Sequence, residues 1–139
     1  MMMEGKTIVI AGVGTGLGSQ VGRLGLREGA NVVLAARSQD NLDAIAGELD
    51  PSGERVHTVA TDITESEQCQ RLADSAAERF GGIDAIVQVA ARDRIFGGLA
   101  EGTREEWMAA FELGVDGSAE FTKAAAPYMK ARGGGSVSC

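Results

Sequence analysis

Ala11-Gly12-Val13-Gly14-Thr15-Gly16-Leu17-Gly18 lies between a short apolar run at 6–11 (KTIVIA) and a stretch of helical period that begins at Leu17. A sharp turn needs a residue free of Cβ, and backbone N–H groups reach a phosphate closely only where no side chain intervenes. The helix that follows offers unpaired N–H groups and the positive end of its dipole, and both favour an anion. At this first strand–helix junction Gly12, Gly16 and Gly18 are expected to form the turn that holds a dinucleotide's pyrophosphate. Gly14, Thr15 and Leu17 complete it.

Outward from the turn, short apolar runs alternate with longer stretches of helical period, the pattern of βαβ units around a parallel sheet. Strands are predicted at 6–11, 31–36, 55–60 and 84–90, and helices at 17–28, 39–49 and 65–80. Near-continuous apolar character in the strands fits a sheet covered on both faces. Thr64 with Glu67, and Thr103 with Glu106, have the spacing of capping boxes. Gly29 and Gly81-Gly82 are expected to stop the first and third helices, and Asp50-Pro51 the second. A longer fourth helix is predicted from Thr103 to 130–132, laid against the sheet by a stripe of Trp107, Phe111, Val115, Ser118, Phe121 and Ala125. Ser136-Val137-Ser138-Cys139 follow three glycines and look like the start of a fifth strand. The fold expected is α/β: a Rossmann-type doubly wound parallel sheet in three layers, α/β/α. It forms one dinucleotide-binding domain over 1–139, incomplete at its C-terminal end.

The chain has 139 residues, 44% of them hydrophobic and 24% charged, which suits one globular domain with a core. A formal charge of −7 argues against nucleic acid or an anionic membrane as partner. A phosphate must therefore be held by local groups. No segment approaches a membrane span, and Cys69 and Cys139 make neither a disulfide framework nor a metal spacing. The expectation is a cytoplasmic protein without a metal site, Cys69 being a small buried hydrophobe. His57, the one histidine, has no ligand-spaced companion and is expected to pack or face solvent.

Three ligand classes use a glycine turn of this kind. The Gly-Lys-Ser/Thr ending of a P-loop is absent. Adenosylmethionine-dependent methyltransferases share a Gly-x-Gly-x-Gly string, matched by Gly12, Gly14 and Gly16, but usually carry an acid at the end of the second strand. NAD-dependent dehydrogenases want an acid there too. Here the strand ends Ala35-Ala36-Arg37-Ser38, and a guanidinium fork suits the oxygens of a ribose 2′-phosphate. Arg37, with Ser38 beside it, favours NADP(H) over NAD(H).

These residues resemble the short-chain dehydrogenase/reductase family, whose Thr-Gly-x-x-x-Gly-x-Gly motif is matched from Ala11 to Gly18 with alanine in place of threonine. Asp62-Ile63-Thr64 is similar to the family's adenine-contacting segment, and Ile86-Val87-Gln88-Val89-Ala90-Ala91 lines up with its Asn-Asn-Ala-Gly strand. The run from Trp107 through Phe111, Gly117, Pro127 and Met129 to Gly134-Gly135-Ser136 resembles its long interface helix and the approach to strand five. The likeness implies the amino-terminal half of an oxidoreductase that transfers hydride between nicotinamide and a small carbonyl or alcohol substrate. It also implies adenine contacts at Asp62 and Ile63, a ribose-side contact at Ala90, and a homo-oligomer, dimer or tetramer, in the complete protein.

The family's serine and its Tyr-x-x-x-Lys, in which the lysine lowers a tyrosine pKa that is ordinarily near 10, fall beyond Cys139. No catalytic residue is therefore assigned within the 139 residues, which are expected to be inactive and poorly folded alone. Tyr128 is the only tyrosine, but Arg132 stands four residues on, and Ser138 comes too soon after Gly135. Two departures touch the active-site edge: Gln88-Val89 replaces the paired asparagines, and Gly114 stands where the family has a helix asparagine. The loop at 92–98 is expected either to border the ligand crevice or to be an ordinary exposed loop. The alternative to an enzyme is a non-catalytic dinucleotide-binding or regulatory module.

Overall fold

The computed structural model describes residues 1–91 and 97–139; the expectation for the loop at 92–98 thus falls mostly outside the described residues. Five parallel strands form one sheet in the order β3-β2-β1-β4-β5: β1 Thr7–Ala11, β2 Asn31–Ala36, β3 Val56–Ala60, β4 Ala85–Gln88 and β5 Ser136–Ser138. Ile8 pairs with Val32 on one side and Ala85 on the other, and Val87 pairs with Ser138. The order steps outward from β1 in both directions, the topology of a Rossmann-type α/β fold.

Strand alternation assigns the two faces. Ile8, Ile10, Val32 and Leu34 point into one apolar layer with Leu26 of α1 (Leu17–Arg27) and Leu42 and Ile45 of α2 (Gln39–Leu49). Val9, Ala11, Val33 and Ala35 point the other way, against Cys69 and Leu72 of α3 (Ser66–Phe80) and Phe121 and Ala125 of α5 (Ser118–Ala131). Because both faces are covered, β1 is buried along its whole length. Helix α1 comes close to the sheet through its small residues: a Cβ on Gly25 would stand 3.0 Å from Ile8 Cδ1, and one on Gly22 would stand 3.4 Å from Leu34 Cδ2. At the opposite end of the sheet from the turn, Asp84 receives the Thr7 N–H at 2.9 Å and pairs with Lys6 and Arg132 at 3.9 and 3.8 Å.

Three sequence expectations need correction. Strand β4 ends at Gln88, not at residue 90, although Val89 N–H still donates to Ala11. The Thr64–Glu67 capping box does not form: α3 starts at Ser66, and the Thr64 hydroxyl donates to Asp62 Oδ1 at 2.6 Å instead. The N-cap is Glu65, so Thr64 lies one residue outside the helix and closes a local turn with Asp62. The third correction concerns the predicted fourth helix. It is α4 (Arg104–Phe111), a π-helical turn (Glu112–Gly117) and then α5. The widened turn re-aims the stripe, so that Phe121 and Ala125 are buried while Trp107, Phe111 and Val115 remain exposed. The Thr103–Glu106 box does form, with both of its hydrogen bonds. Gly81 caps α3 in the left-handed conformation, and α2 ends at Asp50.

His57 Nε2 meets Ser75 Oγ at 2.8 Å, in the packing role expected of it. Cys69 is fully buried and donates to the Ile63 carbonyl at 3.2 Å, whereas Cys139 is exposed. Burial, reinforced by the charges of Glu120 and Asp62, pushes the Cys69 thiol up to about 11. Thiolate is the reactive form, so at pH 8 Cys69 is protected by both its pKa and its position. Thiol titration with a disulfide reagent at pH 8 should therefore modify one cysteine in the folded chain and both in denaturant.

Candidate functional site

The carboxyl ends of β1, β2 and β4 and the loop after β3 border a groove of about 940 Å³. In a parallel α/β sheet this is the crevice where strand order reverses, between β1 and β4. Its floor is the glycine turn. Gly12 has φ +95°, and a Cβ there would stand 2.2 Å from the Ala90 nitrogen and 2.5 Å from its Cα. Any side chain at 12 would thus both strain the backbone and collide with Ala90, just past the end of β4. Gly18 is buried beneath the turn, where a Cβ would stand 3.0 Å from Val13 Cα and 3.2 Å from Val89 Cγ2. At Gly14 and Gly16 a Cβ would meet nothing within 4 Å, so space alone does not require glycine there. Gly16 is the N-cap of α1, and no side chain caps that helix. Its first N–H groups are left without the partner that Ser38 supplies for α2 and Thr103 for α4.

Of the residues singled out from sequence, Gly12, Gly14, Arg37, Ser38, Asp62, Ile63 and Ala90 line this one groove. Thr15, Gly16 and Leu17 are exposed on the turn beside it, Leu17 at 68%. Arg37 is exposed and is the one cation among the described lining residues; Asp62, Glu105 and Glu106 are the carboxylates. Ser38 accepts from Asn41 N–H at 3.3 Å, so its hydroxyl already serves α2. Asp62 is held facing its own loop, with Oδ1 accepting from the Thr64 N–H at 3.0 Å and from the Thr64 hydroxyl. Ile63 is buried against Gly117 of the π-turn, where a Cβ would stand 3.0 Å from Ile63 Cγ1.

Sequence reasoning missed the opposite wall. Glu105, Glu106, Ala109 and Leu113 close the groove from α4 and the π-turn, and Asn41 and Thr61 complete its rim. The capping box at Thr103 marks where α4 begins, but no spacing signal says that the helix leans over the turn. Tyr128 lies elsewhere, on α5, with its hydroxyl donating to Asp74 Oδ1 of α3. That bond raises the phenol pKa, with burial adding to it, opposite to what a tyrosine acting as base requires. Ser138 is exposed on β5.

An uncapped helix start, a glycine floor that excludes a Cβ, and a guanidinium at the end of β2 suit a phosphate-bearing nucleotide. Comparison with known proteins identifies the family. The family model for short chain dehydrogenase matches residues 6–138, and the chain belongs to that family. A dehydrogenase/reductase SDR family member 4 from Pongo abelii is 33% identical over 135 residues, covering 97% of this chain and 49% of the relative. Among solved structures, a metagenomic short-chain oxidoreductase in complex with NADP matches with a TM-score of 0.87 at 26% identity. That match covers 99% of this chain and 62% of the other. An NAD+-bound xylitol dehydrogenase matches in fold, with a TM-score of 0.91 at 20% identity, over 99% of this chain and 53% of its own. The chain spans about half the length of the curated relatives it matches. The resemblance to the family and the Rossmann-type fold, both expected from sequence, are thus borne out.

The contact at Gly12 can be tested by stability alone. Gly12→Ala should lower the unfolding free energy by roughly 2 kcal/mol or more, from left-handed strain and the clash with Ala90. Gly14→Ala, in open space, should stay within about 0.5 kcal/mol of wild type. Urea unfolding midpoints of the two variants measure the contrast.

Proposed function

We propose that this chain is the dinucleotide-binding domain, spanning 1–139, of an NADP(H)-dependent oxidoreductase. The carrying observation is a floor at Gly12 that tolerates no side chain, on the same groove as Arg37, the one cation among its described lining residues. Backbone N–H groups at Gly14, Thr15, Gly16, Leu17 and Gly18 would take the pyrophosphate, where the dipole of α1 offsets a chain of net charge −7. Arg37, with Ser38 beside it, would take a ribose 2′-phosphate, a role that a flexible ammonium would fill less well than a planar fork. Asp62 and Ile63 would border the adenine, and Ala90 the ribose on the far side of the turn. The bound nicotinamide would supply hydride exchange with a small carbonyl or alcohol.

No described residue is assigned to proton transfer. Tyr128 is tied to Asp74, away from the groove, and Ser138 lies on the strand edge. The 139 residues are accordingly proposed to bind cofactor without turnover. Trp107, Met108, Phe111 and Val115 leave an exposed apolar face along α4 and the π-turn, which supports assembly as a homo-oligomer in the complete protein. The net negative charge speaks against nucleic acid, and no helix among the described residues is long and apolar enough to cross a membrane. A cytoplasmic location belongs to the same proposal. A non-catalytic binding module is the second reading, favoured by the Gly114 carbonyl being engaged by the Ser118 hydroxyl within the helix itself.

Fluorescence titration with NADPH and NADH should give at least about tenfold tighter binding of NADPH, the worth of one charge-assisted contact. Arg37→Ala should abolish that preference and leave NADH affinity nearly unchanged. Equal binding of the two cofactors by the wild-type chain would overturn the NADP assignment. Binding of adenosylmethionine in place of either would move the chain to another class.

A further inference from the structure

The two places where the sequence departs from its family meet in the structure. Gln88, at the end of β4, is buried and donates from Nε2 to Ser118 Oγ at 2.8 Å. Ser118 opens α5, and its hydroxyl donates to the Gly114 carbonyl, within the π-turn, at 2.7 Å. Because the hydroxyl proton is committed to Gly114, the serine oxygen accepts, and this sets the orientation of the amide. The other end of that amide, Oε1, is buried without a hydrogen-bond partner among the described residues. Among the described residues the Gln88 side chain is therefore hydrogen-bonded through its donor alone.

We infer that Gln88 is a positioning residue for the dinucleotide groove, acting through Ser118 to fix the π-turn. A π-turn carries one more residue than an α-turn needs, so its backbone has a competing α-helical arrangement. A serine back-bonded to the carbonyl four residues earlier bends a helix locally, and anchoring that serine to the sheet ties the bend to one place. What the anchored turn presents is the groove itself: Leu113 lines it, and Gly117 presses on Ile63, a second lining residue. Gln88 and the Gly114 carbonyl thus work as one unit with Ser118, while nothing in the structure explains why residue 114 is glycine. This role rests on the nucleotide-binding reading of the groove.

The test combines hydrogen exchange with cofactor titration in the same chain. Gln88→Met, which keeps length and apolar volume, and Ser118→Ala should each speed amide exchange at 112–117 by about five- to tenfold, the worth of one hydrogen bond. Exchange in β1 and α1 should stay unchanged. Both variants should weaken NADPH binding about three- to tenfold, and the double variant should be no worse than either single one. Ser118→Thr, which keeps the hydroxyl, should restore both readouts. Unchanged exchange at 112–117 in the single variants, or fully additive losses in the double variant, would overturn the inference. If the wild-type chain bound no dinucleotide, the function proposed above would fail, while the exchange pattern would still decide whether Gln88 anchors the turn.

Discussion

At Gly12 the backbone of the first strand–helix turn passes so close to Ala90, just past β4, that a methyl group cannot be placed between them. Its φ of +95° directs the chain there, and the Ala90 nitrogen lies 2.2 Å from where a Cβ would stand. The remainder of the site depends on that approach. The N–H groups of Gly12 and Val13 both reach the Ala35 carbonyl, at 2.9 and 3.1 Å, which ties the turn to β2 as well as to β4. The start of α1 is thereby aimed along the crevice between the two strands, and Arg37, two residues past Ala35, is placed on the same groove. One backbone contact thus sets the spacing between a helix terminus and a guanidinium.

The electrostatics follow the same logic. The chain carries a net charge of −7, and among the described lining residues three carboxylates share the groove with one arginine. A long-range field would repel a dinucleotide. What remains attractive is local: aligned peptide dipoles at the uncapped start of α1, and a fork-shaped cation at the end of β2. Under the proposed function, such short-range attraction would be insensitive to overall charge and would discriminate among phosphates by position.

Much of this was legible in the residues themselves. Strand and helix periods differ, so the alternation of 6–11, 17–28, 31–36 and 39–49 marked the βαβ units, and the sheet buried on both faces kept its strands uniformly apolar. The glycine turn was legible because a left-handed φ and a close approach both demand the residue without a side chain. The division of the last long helix was not. The inserted residue of a π-turn leaves apolar spacing nearly intact, so Trp107, Phe111 and Val115 read as continuous with Phe121 and Ala125 although only the latter two are buried. The groove wall at Glu105, Glu106, Ala109 and Leu113 was hidden for the same reason, since the π-turn that follows α4 sets which of its residues face the groove. Thr64 showed a different limit: α3 takes Glu65 as its N-cap, one residue past Thr64, and the Thr64 hydroxyl donates to Asp62 instead of accepting from a helix N–H.

The glycine turn and Arg37 are proposed to hold one dinucleotide across the β1–β4 crevice. Titrating isotope-labelled chain with NADPH and following backbone amide resonances tests it most directly. The account predicts saturable shifts concentrated at 12–18, 37–38, 61–63 and 90, with those at 37–38 much reduced when NADH replaces NADPH. Saturable shifts confined to other surfaces, with 12–18 unmoved, would contradict it.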